Sequence, residues 1–379
     1  MKKIYFDYAS TTPCDPQVTQ AMQPFFEERF GNASSPHSIG QDAQKALEES
    51  RETVAGFIGA KSNEIIFNSG ATEGNNHALL GIAQMARGKG RHVIVSAVEH
   101  HSVLRPAEFL ESQGWQVTFL PVGGDGLVDP LSIKEALTDQ TVLVCLMQAS
   151  NEIGTIQPVE EVSRLTKARH IPLLVDACQT VGHIPVNVDS LGADLLTFSA
   201  HKFYGPKGVG ALYVRPGTKI GSYLMGGDQE RGRRASTQNV AAIVGMAKAA
   251  LLCRQNMKTE MEQQTLLRDQ LLREVPQRIL DVKVNGHLKN RLPNNAHFSF
   301  KRLQSESLIM SLDMNGICAS MGSACTAGAM EPSHVLRAIG LSDELALGSL
   351  RVSIGRWTTP EQIDYFLETL PGIVESLRI

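Results

Sequence analysis

Two residues that could share one chemical task stand at the ends of apolar runs in this sequence. Asp176 ends the run Pro172–Asp176, and Lys202 follows the run Leu195–Ser199. A carboxylate at the end of a buried strand is costly unless a cation or a hydrogen-bond donor meets it. A lone lysine in such a place is usually a solvated loop residue. An acid and an amine facing one crevice could instead hold a ligand that needs both groups.

The stretch NSGATEGNN, residues 68–76, could add an anion site to that crevice. It carries two glycines and small hydroxyl residues, and a predicted helix follows it. Free backbone N–H groups and the positive end of the helix dipole favour a phosphate at such a turn. The stretch matches neither the P-loop pattern nor G-x-G-x-x-G, which argues against a nucleotide.

Two further polar stretches follow predicted strands. AVEHHSVL, residues 97–104, places Glu99 and His100 at the rim, and QASNEIGT, residues 148–155, contains Asn151. His100 could take part in ligand binding or could simply cap the helix that follows it. Both roles stay open on the sequence alone.

These residues need a sheet to bring them together, and the apolar patterning predicts one. The predicted strands are Glu64–Phe67, His92–Ser96, Val117–Leu120, Val142–Met147, Pro172–Asp176, Leu195–Ser199 and Val209–Val214. Helical patterns lie between them, at Asn76–Arg87, Ser102–Ser112 and Val159–Arg169. This alternation predicts an α/β fold, with a mostly parallel seven-stranded sheet and helices on both faces. Ligands bind such sheets beyond the carboxyl ends of the strands.

The pattern changes after Asn239, and this change predicts a second domain. A long helical stretch runs from Val240 to about Leu272, and a closing helix follows Pro360. A chain of 379 residues exceeds what one hydrophobic core usually supports. We expect a large domain at 14–258 and a smaller α+β domain at 259–379, with residues 1–13 packed onto the smaller domain.

Composition excludes several classes of protein. A net charge of −3 gives no general electrostatic reason to bind nucleic acid or an anionic membrane. The sequence has no signal-peptide pattern and no apolar run of membrane-spanning length. The six cysteines are scattered without a C-x-x-C pair, which is typical of reduced thiols in the cytoplasm and not of disulfides or zinc. The dispersed histidines predict no metal site either.

One cofactor needs the whole set of candidate residues. Pyridoxal 5'-phosphate requires a lysine for a Schiff base, an acid beside its pyridine nitrogen and a cradle for its phosphate. This sequence supplies these groups through Lys202, Asp176 and the stretch 68–76. The predicted sheet would bring the three together. The pattern therefore favours a pyridoxal-phosphate enzyme.

Longer motifs make the chain similar to a known family. They are YFDYASTTP, SGATEGNN, EHHSVL, SNEIGTIQP, VDACQTVG, FSAHKFYGPKGVGALYV, GGDQERG, GSACTAGAMEPSHVLRAIG and LRVSIGRWTT. Together they cover nearly the whole chain, which resembles the cysteine desulfurases, pyridoxal-phosphate enzymes of fold type I that mobilise sulfur for iron–sulfur clusters and thiolated cofactors. The long GSACT segment is similar to that of the family's first group.

The resemblance implies a role for each candidate residue. Lys202 would form the Schiff base, Asp176 would pair with the pyridine nitrogen, and His100 would stack on the ring. The other cofactor contacts would be Ala71, Thr72, Asn151, Gln179, Ser199 and His201, with Thr237 reaching the phosphate from the neighbouring subunit of a homodimer. Asn32, Arg351 and also Asn151 would face the substrate L-cysteine, with Arg351 holding its carboxylate.

The resemblance also explains Cys325, a thiol in the small-residue segment SMGSACTAGAM. It would attack the sulfur of bound L-cysteine, keep that sulfur as a persulfide and release L-alanine. A loop of small residues would let it swing outward to a sulfur-acceptor protein. Most free thiols are protonated at neutral pH, so we expect His100 or the cofactor imine to help remove the proton from Cys325.

One departure from the family pattern and several alternatives remain. The family usually has R-x-G-T where this chain has Arg234-Ala235-Ser236-Thr237, and the lost glycine puts the contact of Thr237 in doubt. A selenocysteine lyase or an aminotransferase could use the same scaffold, although an aminotransferase would not depend on Cys325. A cofactor-free interaction protein is a third alternative, against which the intact Lys202, Asp176 and Cys325 argue.

Overall fold

The computed structural model describes residues 3–86, 88–321 and 331–378 of the chain. Cys325 and the rest of residues 322–330 lie outside these described residues. The described strands are β1 (Ile4–Tyr5), β2 (Ile65–Asn68), β3 (His92–Ser96), β4 (Gln116–Leu120), β5 (Thr141–Met147), β6 (Leu173–Asp176), β7 (Leu195–Ser199), β8 (Gly210–Val214), β9 (Val282–Val284), β10 (Asn295–Phe300), β11 (Ile317–Cys318) and β12 (Ser349–Ser353).

The described helices follow the alternating order that the sequence predicts. They are α1 (Pro16–Met22), α2 (Pro24–Glu27), α3 (Ser38–Phe57), α4 (Ala71–Met85), α5 (His101–Ser112), α6 (Pro130–Ala136), α7 (Val159–Lys167), α8 (Val188–Leu191), α9 (Val240–Arg278), α10 (Ser305–Met314), α11 (His334–Ala338), α12 (Asp343–Leu347) and α13 (Pro360–Leu377). No helix in the described part of the chain combines the length and the apolar character that crossing a bilayer demands.

The central sheet has seven strands in the order β2-β8-β7-β6-β5-β3-β4. Neighbouring strands are parallel except at β8, which runs antiparallel to β2 and β7. Every residue of β3, β6, β7 and β8 is buried, because helices cover both faces of the sheet. The predicted α/β fold with a mostly parallel seven-stranded sheet is confirmed.

The predicted strand bounds hold to within one residue. Helix α7 ends at Lys167, two residues before the predicted Arg169, and two other helices differ more. Helix α4 begins at Ala71, not at the predicted Asn76. The strand before it ends at Asn68, and Gly70 turns the chain at φ 152°, a conformation that glycine adopts far more readily than other residues. Helix α9 continues to Arg278, because its apolar face stays buried beyond the predicted end at Leu272.

The remaining strands form two small sheets. Strands β12, β10 and β9 make an antiparallel sheet, and β1 pairs in parallel with β11. The second pairing sets Ile4 opposite Ile317, so the start of the chain packs onto its C-terminal part.

Two apolar clusters support the predicted division into domains, which stays a prediction. The first contains the helix α9 residues from Val240 to Cys253, and the second contains those from Leu267 to Val275. Between them, residues 254–263 of α9 include no buried side chain. The N-terminal segment contacts both clusters, since Phe6 packs in the second and Tyr8 in the first. We therefore propose the boundary near residue 258.

A buried ion pair fixes the loop that leads into α9. Arg51 of α3 donates from Nη1 to Oε2 of Glu230 at 2.6 Å and from Nη2 to Oε1 at 2.9 Å. Glu230 Oε2 also accepts from the backbone N–H of Phe67 at 2.9 Å. Both charged side chains are almost fully buried, so each depends on the other for its solvation. The pair thereby holds the loop against the end of β2.

Replacing Glu230 with glutamine should lower the free energy of unfolding by about 3 kcal/mol, because Arg51 then loses its buried carboxylate and keeps the partly exposed Glu48 as its charged partner. The matched control is Glu48→Gln, since Glu48 also contacts Arg51 but is 42% exposed, and it should cost less than about 1 kcal/mol. Equilibrium urea unfolding measures both variants. Equal losses in the two would contradict this account of the loop.

Candidate active site

A cavity of about 510 Å³ opens at the carboxyl ends of the parallel strands. This is where open α/β sheets bind their ligands. The predicted site residues that line it are Ala71, Thr72, His100, Asn151, Asp176, Gln179, Ser199, His201, Lys202 and Arg351. The fold thus gathers in one place residues that are up to 280 positions apart in the chain.

Three predicted residues are not among those lining the cavity. Asn32 and Thr237 are exposed in the single chain, and Asn32 Oδ1 accepts a local hydrogen bond from the N–H of Ser34 at 2.9 Å. Cys325 lies outside the described residues. The roles of these three stay predictions.

The turn before α4 gives one side of the cavity the groups that could bind an anion. No side chain caps this helix, so its first N–H groups, at Ala71 and Thr72, face the cavity with the positive end of the helix dipole. Strand β8 lets the turn approach β7, because a Cβ on Gly210 would stand 2.7 Å from Gly70 Cα. Ser199 is also close to this turn, since its Oγ lies 3.5 Å from where a Cβ on Gly70 would stand.

An acidic residue in the first turn of α4 is held away from this role. Glu73 accepts hydrogen bonds from Arg234 Nε at 2.8 Å and from the N–H of Ser69 at 2.9 Å. Burial acts to raise the pKa of Glu73, but these hydrogen bonds outweigh it and lower the pKa below its usual range. Glu73 therefore remains ionised and paired, and the anion site keeps its positive character.

Asp176 lies at the floor of the cavity as a buried carboxylate. It ends β6 and is 6% exposed. Its Oδ2 accepts from Asn75 Nδ2 at 2.7 Å, and its Oδ1 accepts from the N–H of Cys178 at 3.0 Å. Within the described ranges no lysine, arginine or histidine nitrogen comes within 4 Å of it to form an ion pair. A cationic group of a ligand would complete this environment.

Lys202 faces the same cavity from the short helical turn Ala200–Lys202 after β7. Its Nζ donates to the carbonyl oxygens of Ala9 at 2.7 Å and Ser10 at 2.8 Å. Burial lowers the pKa of the Lys202 amine, so the neutral, nucleophilic form costs less than in water. A buried histidine supports this turn, since His183 Nε2 donates to the carbonyl oxygen of Lys202 at 2.9 Å.

The N-terminal segment, residues 7–12, lines the cavity with Ala9, Ser10 and Thr11, a wall that the sequence did not predict. Gln179 Nε2 donates to Ala9 at 3.0 Å, the same carbonyl oxygen that Lys202 contacts. His201 Nδ1 lies 3.1 Å from Thr11 Oγ1. The sequence marks this segment through the motif YFDYASTTP. The motif does not indicate that backbone carbonyl oxygens of the segment contact Lys202 and Gln179.

Arg351 brings a buried guanidinium to the cavity from strand β12. It is 2% exposed. Its Nη1 donates to the carbonyl oxygen of Asn151 at 2.8 Å, and its Nη2 donates to Asp7 Oδ1 at 2.8 Å and to Ser10 Oγ at 2.7 Å. Asp7 and Ser10 hold the guanidinium in a fixed direction. A ligand carboxylate would share this cation with Asp7.

His100 has both of the roles that the sequence left open. It is the N-cap of α5, where its Nδ1 accepts from the N–H of Ser102 at 3.1 Å, and its ring lines the cavity. Burial lowers the pKa of His100, Asp176 opposes that shift, and Lys202 adds to it. The imidazole is therefore neutral at neutral pH.

Among the described residues no cluster of side chains could hold a metal ion.

The departure from the family pattern at Ser236 has a visible consequence. Ser236 adopts φ 87°, in the left-handed region that favours glycine. The turn that presents Thr237 thus keeps its glycine-type conformation and bears the strain of a side chain. Arg234, two residues earlier, ties the turn to Glu73 at the anion site.

Comparisons with known proteins place these features in a family. The family "Aminotransferase class-V" matches residues 4–366. A cysteine desulfurase IscS of Dictyoglomus turgidum is 53% identical over 377 residues, covering 100% of this chain and 96% of the relative. A cysteine desulfurase IscS 1 of Archaeoglobus fulgidus is 46% identical over 374 residues, covering 99% of this chain and 97% of the relative.

Solved structures agree with the sequence relatives. A NifS-like protein superposes with a TM-score of 0.93 at 36% identity, covering 99% of this chain and 100% of the other. The apo structure of a cysteine desulfurase from Thermococcus onnurineus NA1 gives a TM-score of 0.88 at 26% identity, covering 99% of this chain and 95% of the other. Both the fold and the sequence of this chain therefore match those of the family.

Replacing Ser236 with glycine should raise the free energy of unfolding by about 1 kcal/mol, because the strain of a side chain in the left-handed region disappears. The matched control is Asp228→Gly in the same loop, where φ is −83°. That change should lower the free energy by about 0.5 kcal/mol, since glycine only adds freedom to the unfolded chain. Urea unfolding of both variants measures the two signs, and a loss of stability in Ser236→Gly would refute the strain.

Replacing His183 with glutamine should flatten the dependence of stability on pH. Burial lowers the pKa of His183 to about 4, whereas an unfolded histidine titrates near 6.5. The unfolded chain therefore binds a proton first, and stability that is full above pH 6.5 is lost as the pH falls toward 4. Between pH 7 and pH 5 the parent should lose about 2 kcal/mol more than the variant.

Thr180→Val is the matched control for that measurement. It removes the buried hydroxyl that donates to Gln148 Oε1, close to His183, without removing a titratable group. It should lower stability by a similar amount at both pH values. If His183→Gln showed the parent's slope in urea unfolding at pH 7 and pH 5, the neutral state of His183 would be disproved.

Proposed function

The chain belongs to the aminotransferase class-V family and, within it, to the cysteine desulfurases, and from that premise we propose that it converts L-cysteine to L-alanine with Cys325 as the sulfur acceptor. Like its family, it is a pyridoxal-phosphate-dependent enzyme. The persulfide sulfur then passes to an acceptor protein for iron–sulfur cluster assembly or other thiolation.

The observation that carries this proposal is the pairing of two unlike groups in one cavity. Asp176 is a buried carboxylate that forms no ion pair within 4 Å in the described part of the chain, and Lys202 is a buried amine with a lowered pKa. A protonated ring nitrogen fits beside Asp176 because it supplies the missing positive charge. The uncapped start of α4 fits a phosphate. The residues present thus fit pyridoxal 5'-phosphate.

When bound, pyridoxal 5'-phosphate supplies an aldehyde that amines attack and a ring that withdraws electrons from the α-carbon of the substrate. The residues around it would divide the remaining tasks. Asp176 would hold positive charge at the ring nitrogen, and Gln179, which donates to the carbonyl oxygen of Ala9, would border the ring. Lys202 would hold the cofactor through its amine, and its free amine could accept the α-proton of the substrate at Nζ. Burial makes that amine easier to deprotonate.

Arg351 would set the orientation of the substrate. Its guanidinium is held by Asp7, Ser10 and the carbonyl oxygen of Asn151, so little freedom is lost when a carboxylate binds to it. Asn151 would border the substrate on the same side. This arrangement selects an amino acid with a free α-carboxylate.

The sulfur step would belong to Cys325. Its thiolate attacks the sulfur of the substrate, a sulfur–sulfur bond forms, and the carbon–sulfur bond breaks with its electron pair passing to the substrate carbon. Protonation of that carbon yields L-alanine, and the sulfur remains on Cys325 as a persulfide. Atoms and electrons balance without an external oxidant.

A homodimer would complete the site. Thr237 and Asn32, both predicted to contact cofactor or substrate, are exposed in the single chain. Large apolar side chains are also exposed beside the Thr237 loop, at Tyr223, Leu224 and Met225. A second copy covering this surface would bury them and bring Thr237 to a phosphate. We propose that the protein is located in the cytoplasm.

Incubation with L-cysteine and a reductant tests the function by measuring alanine and sulfide. The parent should release both in equal amounts. Lys202→Ala and Cys325→Ala should each lower the rate by a factor on the order of 10³ or more, as loss of a covalent group does. The matched control is Cys318→Ala, a partly exposed thiol outside the cavity, which should keep the parent rate. Sulfide release by Cys325→Ala at the parent rate would refute the persulfide.

A further inference from the structure

A continuous chain of buried hydrogen bonds links Asp176 to His100. Asn75, on α4, is completely buried and lies between them. Its Nδ2 contacts Asp176 Oδ2 at 2.7 Å and Ser102 Oγ at 2.9 Å. Ser102 Oγ in turn lies 2.8 Å from His100 Nδ1. Among the residues linked by these hydrogen bonds, the sequence motifs predict a role for Asp176 and His100. They predict none for Asn75 or Ser102.

The donor and acceptor roles along these hydrogen bonds are fixed at both ends, by the Asp176 carboxylate and by the backbone N–H of Ser102. An ionised carboxylate only accepts hydrogen bonds, so the amide nitrogen of Asn75 must face Asp176. The amide oxygen of Asn75 then accepts from Thr197 Oγ1 at 2.6 Å, which is consistent with that orientation. The second hydrogen on Asn75 Nδ2 donates to Ser102 Oγ. The hydroxyl of Ser102 keeps its own hydrogen and can donate it to His100 Nδ1, a nitrogen that already accepts from the backbone N–H of Ser102.

The end of the chain decides which nitrogen of His100 carries a proton. Nδ1 of His100 faces two donors, the hydroxyl of Ser102 at 2.8 Å and the backbone N–H of Ser102 at 3.1 Å. A nitrogen that accepts hydrogen bonds holds no proton of its own, so the proton of the neutral ring is on Nε2.

We propose that Asn75 and Ser102 are positioning residues that hold His100 as a neutral imidazole with its proton on Nε2. His100 then presents an N–H donor to the cavity and cannot remove a proton from Cys325 through Nε2. This inference rests on the proposed function for its catalytic meaning, and it changes the expectation that His100 helps to deprotonate that thiol. Protonating Nδ1 would require Ser102 to give up both donated hydrogen bonds.

The proton position is measured directly by ¹⁵N NMR of [¹⁵N]histidine-labelled holoenzyme without substrate. The chain has 11 histidines, so His100 is identified by subtracting the spectrum of His100→Gln. At neutral pH the His100 signals should show a proton-free Nδ1 and a protonated Nε2. A protonated Nδ1, in either the neutral or the cationic ring, would overturn the proposal.

The two positioning residues are tested by the pH titration of the same signals. The groups that act on the charge of His100 are Asp176, Lys202, His101 and His334, and none of them is changed in the variants. Ser102→Ala should raise the pKa of His100 by about half a unit to one unit, the size expected for one lost hydrogen bond to the neutral ring. Ser102→Thr retains the hydroxyl and should restore the parent value.

Asn75→Ala tests whether the amide acts through Ser102. It should raise the pKa of His100 in the parent background and add little in the Ser102→Ala background, because residues in one network are not additive. The control is Ser50→Ala, which removes an equally buried hydroxyl that contacts only the carbonyl of Ala46 and should leave the His100 titration unchanged. Additive effects of the two changes, or no effect of Ser102→Ala, would overturn the proposal.

These readouts separate the inference from the function it rests on. If the titrations follow expectation but L-cysteine yields no alanine, the hydrogen-bond chain stands and the proposed reaction fails. If alanine and sulfide form but His100 carries its proton on Nδ1, the reaction stands and the inference fails.

Discussion

The active site depends on keeping one negative charge in the interior of the protein. The Asp176 carboxylate is almost without solvent, and such a charge is tolerated only when hydrogen-bond donors and a cation surround it. The fold supplies the donors, from Asn75 and from the backbone of Cys178, and the cofactor proposed above would supply the cation. Because a carboxylate can only accept, it also fixes the orientation of the Asn75 amide, and the backbone N–H of Ser102 fixes His100 Nδ1 as an acceptor at the other end. This one charge orients the polar groups that contact it and, in the proposed function, would favour a cofactor with a cationic nitrogen.

The second constraint is positional, and the N-terminal segment meets it. Lys202 must be held without an ion pair to a carboxylate, since an ion pair would keep its amine protonated. The carbonyl oxygens of Ala9 and Ser10 hold the amine through dipoles instead of charges. Asp7 of the same segment is reserved for Arg351 on the small sheet. The carboxylate of Asp7 therefore contacts the guanidinium of Arg351, and neutral carbonyl oxygens contact the amine of Lys202.

Much of this site could be predicted from the sequence because polar residues at the ends of apolar runs are conspicuous. Asp176, Lys202 and His100 were found in this way, and the strands that carry them were placed to within one residue. Asn75 was missed because the helix was expected to start at Asn76, which left Asn75 in a loop; with the helix starting at Ala71, it lies on the buried face. The carbonyls of Ala9 and Ser10 had no signal at all, since every residue carries one. The surroundings of Asn32 and Thr237 depend on a surface that a single chain leaves open.

The contacts of the N-terminal segment have a consequence for the order in which the protein matures. The bond from Arg351 to Asp7 joins residues 344 positions apart, so the earliest part of the chain waits for some of the latest during synthesis. The central sheet is complete by Val214 and can form on the ribosome well before that partner emerges. A nascent chain would therefore have the lysine and the buried acid in place while its substrate clamp is still missing. Competence for catalysis would arrive late and in one step, when β12 joins the small sheet.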